Sequence, residues 1–157
     1  MKHRAIALAA DMAVRQESPE RHPLRGPVLW GLAFGAAQAA ASPLLLRWIE
    51  PATLQAIFLG LIAGVYIGFA VADGRPRVIA VEAAVASVFV LIATVAVTAT
   101  AWLLVIGYAG HGLKDYWQGR RQYVANTRWW PPFCAAVDWL VALVLVVEIV
   151  AGVNLHQ

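Results

Sequence analysis

Hydrophobic and polar positions in this chain sort into long blocks rather than short alternations. The longest block, residues 83–113, contains no Asp, Glu, Lys or Arg. As an α-helix it would measure about 46 Å at 1.5 Å per residue. The hydrocarbon core of a bilayer is about 30 Å thick, so the block is too long for one crossing and suits two. The same reading along the chain predicts five spanning segments, near residues 27–46, 52–72, 78–97, 101–117 and 132–152. The break between the third and fourth, at Thr98-Ala99-Thr100, has neither Gly nor Pro and is the weakest boundary. The expected fold class is all-α: a bundle of five transmembrane helices over residues 27–153, preceded by a polar tail, residues 1–26. Within the tail, residues 4–16 suit either a loose segment or a short interfacial helix with Ile6, Ala10, Ala13 and Val14 toward lipid. A secretory signal is not expected, because Asp11 interrupts the short apolar run before it.

Composition agrees with a multi-pass membrane protein. Hydrophobic residues make up 61% and charged residues 13%, against roughly 45–50% and about 25% in soluble domains. The lone Cys134 excludes an intrachain disulfide.

Charge then selects the topology. With five crossings and a cytoplasmic N-terminus, Lys2, Arg4, Arg15, Arg21, Arg25, Arg75, Arg77, Lys114, Arg120, Arg121 and Arg128 lie inside, and Arg47 alone lies outside. If the third and fourth segments are fused, seven basic residues lie inside and five outside. The positive-inside rule favours five crossings and puts the C-terminus outside. Trp48 and Trp102 then fall at the outer interface, and Trp117, Trp129 and Trp130 at the inner one, where amphipathic rings are favoured. The expected location is the plasma (bacterial inner) membrane. The basic and aromatic residues Arg120, Arg121, Arg128, Trp129 and Trp130 are read as contacts to lipid headgroups, not to nucleic acid.

Small residues form two stripes. Gly60, Gly64 and Gly68 repeat at intervals of four, and Gly31 and Gly35 form a second pair. Such stripes allow close backbone approach between helices in lipid. They predict packing of the first two helices on each other, or a homo-oligomer seam. Gly107, Gly110 and Gly112 crowd His111 and predict a softened helix end or a close neighbour.

Ionisable residues inside spanning segments are costly and mark sites. Glu82, His111, Asp115 and Asp138 fall at similar depth on the inner side of three helices, while Glu148 falls near the outer face. His111 and Asp115 are four residues apart and share a helix face with Tyr108. A carboxylate beside an imidazole fixes its tautomer and suits acid–base work. Glu82, His111, Asp115 and Asp138 are therefore the candidate catalytic residues. The structural alternative pairs Asp115 with Lys114 or Arg121, Glu82 with Arg75 or Arg77, and Asp138 with a neighbouring helix or a Trp N–H. One His among several carboxylates would suit iron, manganese or magnesium, but no metal and no cofactor is assigned. There is no phosphate-binding glycine loop and no nucleophile elbow.

Three stretches resemble a group of small bacterial integral-membrane proteins of unassigned activity. They are Gly68-Phe69-Ala70-Val71-Ala72-Asp73-Gly74-Arg75, Gly107-Tyr108-Ala109-Gly110-His111-Gly112-Leu113-Lys114-Asp115, and Pro131-Pro132-Phe133-Cys134-Ala135-Ala136-Val137-Asp138. The resemblance implies membrane location and draws attention to His111, Asp115 and Asp138. Lys114 stands where that group carries Trp, and Gln118 where a further His would fall, which argues against a metal.

Three function classes remain. The first is a membrane enzyme acting on a lipophilic small molecule. The others are a structural or accessory subunit with a homo-oligomer or membrane-protein partner, and an ion- or proton-coupled transport component.

Overall fold

The computed structural model describes residues 24–45, 48–125 and 127–156, with the side chains of residues 41–45 excepted. Most of the tail and Arg47 therefore lie outside the described residues. So do the alternatives for residues 4–16. The described chain is all-helical. Its five helices are α1 (Arg25–Leu45), α2 (Pro51–Asp73), α3 (Pro76–Thr98), α4 (Trp102–Arg121) and α5 (Trp130–Val150). Three of them, α2, α3 and α5, are long and apolar enough to cross a membrane. Lys114, Asp115, Arg120 and Arg121 make α4 much more polar.

Local chemistry explains the helix ends. Proline occupies the first turn of α2, α3 and α5, where a missing N–H leaves no bond unmade. Gly74 ends α2 at φ 80°, and its N–H donates to the Ala70 carbonyl at 3.1 Å, the left-handed cap that glycine adopts freely. The α3–α4 break, weakest in sequence, falls at residues 99–101.

Gln122 caps α4 at φ 48° and is the only non-glycine with positive φ among the described residues. Its side-chain Nε2 donates to the Gly119 carbonyl at 2.9 Å. A left-handed residue with a Cβ costs roughly 1–2 kcal/mol. Gln122→Gly is therefore expected to raise stability by up to about 1 kcal/mol, read as a higher unfolding midpoint in detergent.

Helices consecutive in the chain alternate in direction. Gly107 of α4 faces Ile92 of α3, and Gly110 faces Phe89, so these two run antiparallel. Gly112 faces Trp139 and Gly119 faces Pro131, so α4 and α5 are also antiparallel. Gly31 faces Phe133 and Ala136, and Gly35 faces Val137 and Leu140, so α1 runs parallel to α5. The main core joins α2, α3, α4 and α5 around Leu59, Phe89, Leu104, Tyr108, Val141 and Leu145. Leu155 is buried against the start of α2, where the Ala52 N–H donates to its carbonyl at 2.9 Å.

The glycine stripes pack differently from expectation. Gly31 and Gly35 seat α1 on α5, and α1 makes little contact with α2. A Cβ at Gly64 or Gly68 would meet no atom within 4 Å, and one at Gly60 would meet only Val90 Cγ2 at 4.0 Å. The expected packing of the first two helices through these stripes is therefore overturned. The reason is steric: Phe133 and Ala136 come so close to Gly31 that no side chain fits there, which reserves this face of α1 for α5. Around His111, α4 remains one continuous helix. Its glycines there admit close neighbours, with Leu59 Cδ2 and Trp139 Nε1 each 2.5 Å from where a Cβ would stand on Gly107 and Gly112.

Candidate functional site

One face of α4 carries Tyr108, His111, Asp115 and Gln118, spaced three, four and three residues apart. All four are buried. This spacing keeps side chains on one side of a helix. Gly107 lets α2 approach that face, and Gly112 lets α5 approach, which brings Asp138 against His111.

His111, Asp115 and Asp138 form a compact trio with 1%, 0% and 0% exposure. The Nδ1 of His111 lies 2.8 Å from Asp138 Oδ2 and 3.3 Å from Asp115 Oδ2. The shorter contact is the hydrogen bond between Nδ1 and Asp138 Oδ2. The imidazole is held edge to face by Phe89, with ring centroids 4.8 Å apart, and Tyr66 stands 5.9 Å away. Both Asp115 oxygens, Asp138 Oδ1 and the Tyr66 hydroxyl lack a hydrogen-bond partner. Buried polar atoms are almost always satisfied, so four unpartnered oxygens grouped here set this site apart from the rest of the bundle. One ligand atom from each of the three lies within 4.8 Å of the others. Such a hard N/O set has the composition that holds manganese, iron or magnesium.

Glu82 does not join the trio. It pairs with Lys114 at 2.8 Å, and the Lys114 ammonium sits 3.2 Å from the centre of the Tyr66 ring. The pairings expected of a purely structural cluster are thus redistributed. Lys114 takes Glu82 rather than Asp115, and Arg75 takes Asp73 rather than Glu82. The cause is helix geometry: Lys114 is on the α4 face toward α2 and α3, while Asp115 faces α5. Glu148 is half-buried near the far end of α5.

Sequence reasoning assigns Gln118 no role of its own, and treats Gln38 and Gln55 only as candidates for a polar path to the outer face in a transporter. Gln118 is fully buried, with neither amide atom partnered. Toward the other end of the bundle, Gln38 Nε2 donates to Gln55 Oε1 at 2.9 Å and to the Tyr108 hydroxyl at 3.0 Å. The Tyr108 hydroxyl donates in turn to the Gln55 backbone carbonyl at 2.9 Å. The three–four–three spacing from Tyr108 to Gln118 was the signal that links these residues to His111.

A cavity of about 550 Å³ opens between α1, α4 and α5. It falls within the usual range of ligand pockets, about 300–1,000 Å³. Its walls are mostly apolar, and Asp115 is part of its lining. Arg120 and Arg128 line the same cavity, and both are exposed. The buried His111–Asp115–Asp138 trio thus adjoins a mostly apolar cavity.

No family model, curated protein or solved structure matches this chain.

The loop after α4 is pinned near the mouth of the cavity. Asp73 Oδ2 accepts from the Ala125 N–H at 2.8 Å, and Arg75 Nη2 donates to the Tyr123 carbonyl at 2.6 Å. Val124 is buried against Ala70 and Val78 of the α2–α3 hairpin. Trp129 stacks on Phe133 at 4.9 Å, and Trp130 lies 5.5 Å from Phe69. Arg121 is exposed at the end of α4.

Proposed function

We propose that this chain is a small membrane enzyme that performs acid–base chemistry on a lipophilic substrate. The observation that carries the proposal is the adjacency of the buried His111–Asp115–Asp138 trio to the apolar cavity, through Asp115. Asp115, fully buried at the cavity wall, is the member of the trio nearest the substrate. The Nδ1 of His111 faces both Asp138 and Asp115, so a single proton held between Nδ1 and Asp138 passes to Asp115 as Asp115 gives one to the substrate, and returns when Asp115 takes one back. The Lys114–Glu82 pair acts as a positioning element beside them, placing a positive charge close to two carboxylates.

In this reading all five helices cross the plasma membrane, with the N-terminus cytoplasmic and the C-terminus outside. The alternation of helix directions supports it. So does the collection of Arg25, Arg75, Arg77, Arg120, Arg121 and Arg128 at one end of the bundle. Arg120, Arg121, Arg128, Trp129 and Trp130 then rest on headgroups at the inner surface.

The test compares membranes that contain equal amounts of the wild-type chain and of Asp115→Asn. Lipid extracts are analysed by mass spectrometry, and the purified protein by elemental analysis. A lipid species that accumulates only with the wild type is the expected result. Identical lipid profiles would sink the enzyme reading. A stoichiometric metal lost in Asp138→Asn would change the role of the trio from proton relay to ligand set.

A second reading, an accessory subunit or self-associating protein, draws support from the open Gly60–Gly64–Gly68 stripe. It is tested by the glycine variants considered in the Discussion.

A further inference from the structure

We infer that the cavity between α1, α4 and α5 seats a membrane lipid with an anionic headgroup, held by Arg120 and Arg128, with its apolar chain running along the gap that α1 and α5 leave toward α4. The inference rests on the enzyme reading and names the substrate class of that same site.

The shape of the cavity follows from how α1 is held. Gly31 and Gly35 clamp α1 to α5, and this leaves a gap toward α4. Val28 and Leu32 of α1 and Leu140 and Leu143 of α5 line that gap. From Leu24 to Leu32 the α1 wall extends about 12 Å at 1.5 Å per residue. A wall of this kind takes hydrocarbon and offers no hydrogen bonds to a polar solute.

The opposite character is confined to one end. Arg120 comes from the last turn of α4, and Arg128 from the loop before α5. Arg120 is pre-positioned: its Nη2 donates to the Tyr116 hydroxyl at 2.8 Å, and the guanidinium lies 5.2 Å from that ring's centre. Guanidinium groups match phosphate and carboxylate oxygens with paired donors. An apolar slot with two such groups at one end has the polarity of an anionic amphiphile.

Asp115 adds a distance. It stands five residues before Arg120 on α4, about 7.5 Å along the helix. Its oxygens lack hydrogen-bond partners. The reacting group of the lipid, a hydroxyl or another proton donor, is therefore expected about 7.5 Å below its anionic head.

Trp139 lines the same cavity and is partly exposed, so it reports occupancy. The full chain is placed in phosphatidylcholine nanodiscs containing either brominated phosphatidic acid or brominated phosphatidylcholine. Quenching of indole fluorescence is then titrated, and Trp139→Phe identifies the Trp139 share. Brominated phosphatidic acid is expected to quench Trp139 at about tenfold lower content than the zwitterionic lipid, the ratio a single charge-assisted contact supplies. The preference should vanish in Arg120→Gln/Arg128→Gln and persist in Asp115→Asn. Leu140→Trp, which fills the cavity and leaves the arginines in place, should abolish the preference without them.

Equal quenching by the two lipids overturns the inference. A preference that survives both the arginine pair and Leu140→Trp overturns it as well, since the lipid then binds elsewhere. Lipid preference without lipid conversion leaves the binding site standing and removes the enzyme reading. Conversion without preference does the reverse.

Discussion

Replacing His111 with leucine is expected to destabilise the protein by about 3–5 kcal/mol, the cost of removing one partner from a buried charged pair. Three features make the loss large. Asp115 and Asp138 are fully buried and would be left close together with no donor between them. The imidazole also fills space between Phe89 and Tyr66, so leucine leaves imperfect packing as well. Water cannot compensate, because the ring is only 1% exposed. Replacing His111 and Asp138 together with leucine is expected to recover part of this loss, since removing both partners is far cheaper than removing one. The residual cost reports Asp115. The measurement is a double-mutant cycle of unfolding midpoints in detergent, followed by tryptophan fluorescence. Additive losses would mean that the two residues are not coupled, and the trio would lose its standing as one unit.

Gly31→Leu is expected to release α1 from α5, while Gly64→Leu leaves the single chain intact. At Gly31 an added Cβ would collide with the Phe133 carbonyl and lie 2.9 Å from Ala136 Cβ. Both are parts of a rigid helix surface, and overpacking of this kind costs about 1–3 kcal/mol or more. At Gly64 no atom lies within 4 Å, so leucine meets open space. It also gains helix propensity of about 1 kcal/mol over glycine. The comparison is read as unfolding midpoint and as oligomeric state by native mass spectrometry. On the enzyme reading, the oligomeric state of Gly64→Leu is expected to be unchanged. Loss of an oligomer in Gly64→Leu would make the α2 stripe an assembly seam and shift weight to the accessory-subunit reading. A fully stable Gly31→Leu would contradict the α1–α5 clamp, and with it the wall of the cavity.

Long uncharged blocks determined the helices, because backbone groups among apolar side chains must bond within their own segment. The charge-free stretch from residue 83 to 113 was legible as two elements by length alone, even though no Gly or Pro marks the break at residues 99–101. His111 and Asp115 were legible as a pair, since spacing of four residues fixes a shared face. What sequence could not determine was which helices touch. Both glycine stripes read alike along the chain, yet Gly31 and Gly35 close on α5 while Gly64 and Gly68 face open space. The same holds for the charges. Helix rotation turned Lys114 toward Glu82, and the close contact of Gly112 with Trp139 brought Asp138 alongside His111. Hydropathy and periodicity act within one segment and so are written in the sequence. The partner of a face depends on the side chains of other helices and on steric fit between them, and only the folded bundle decides it.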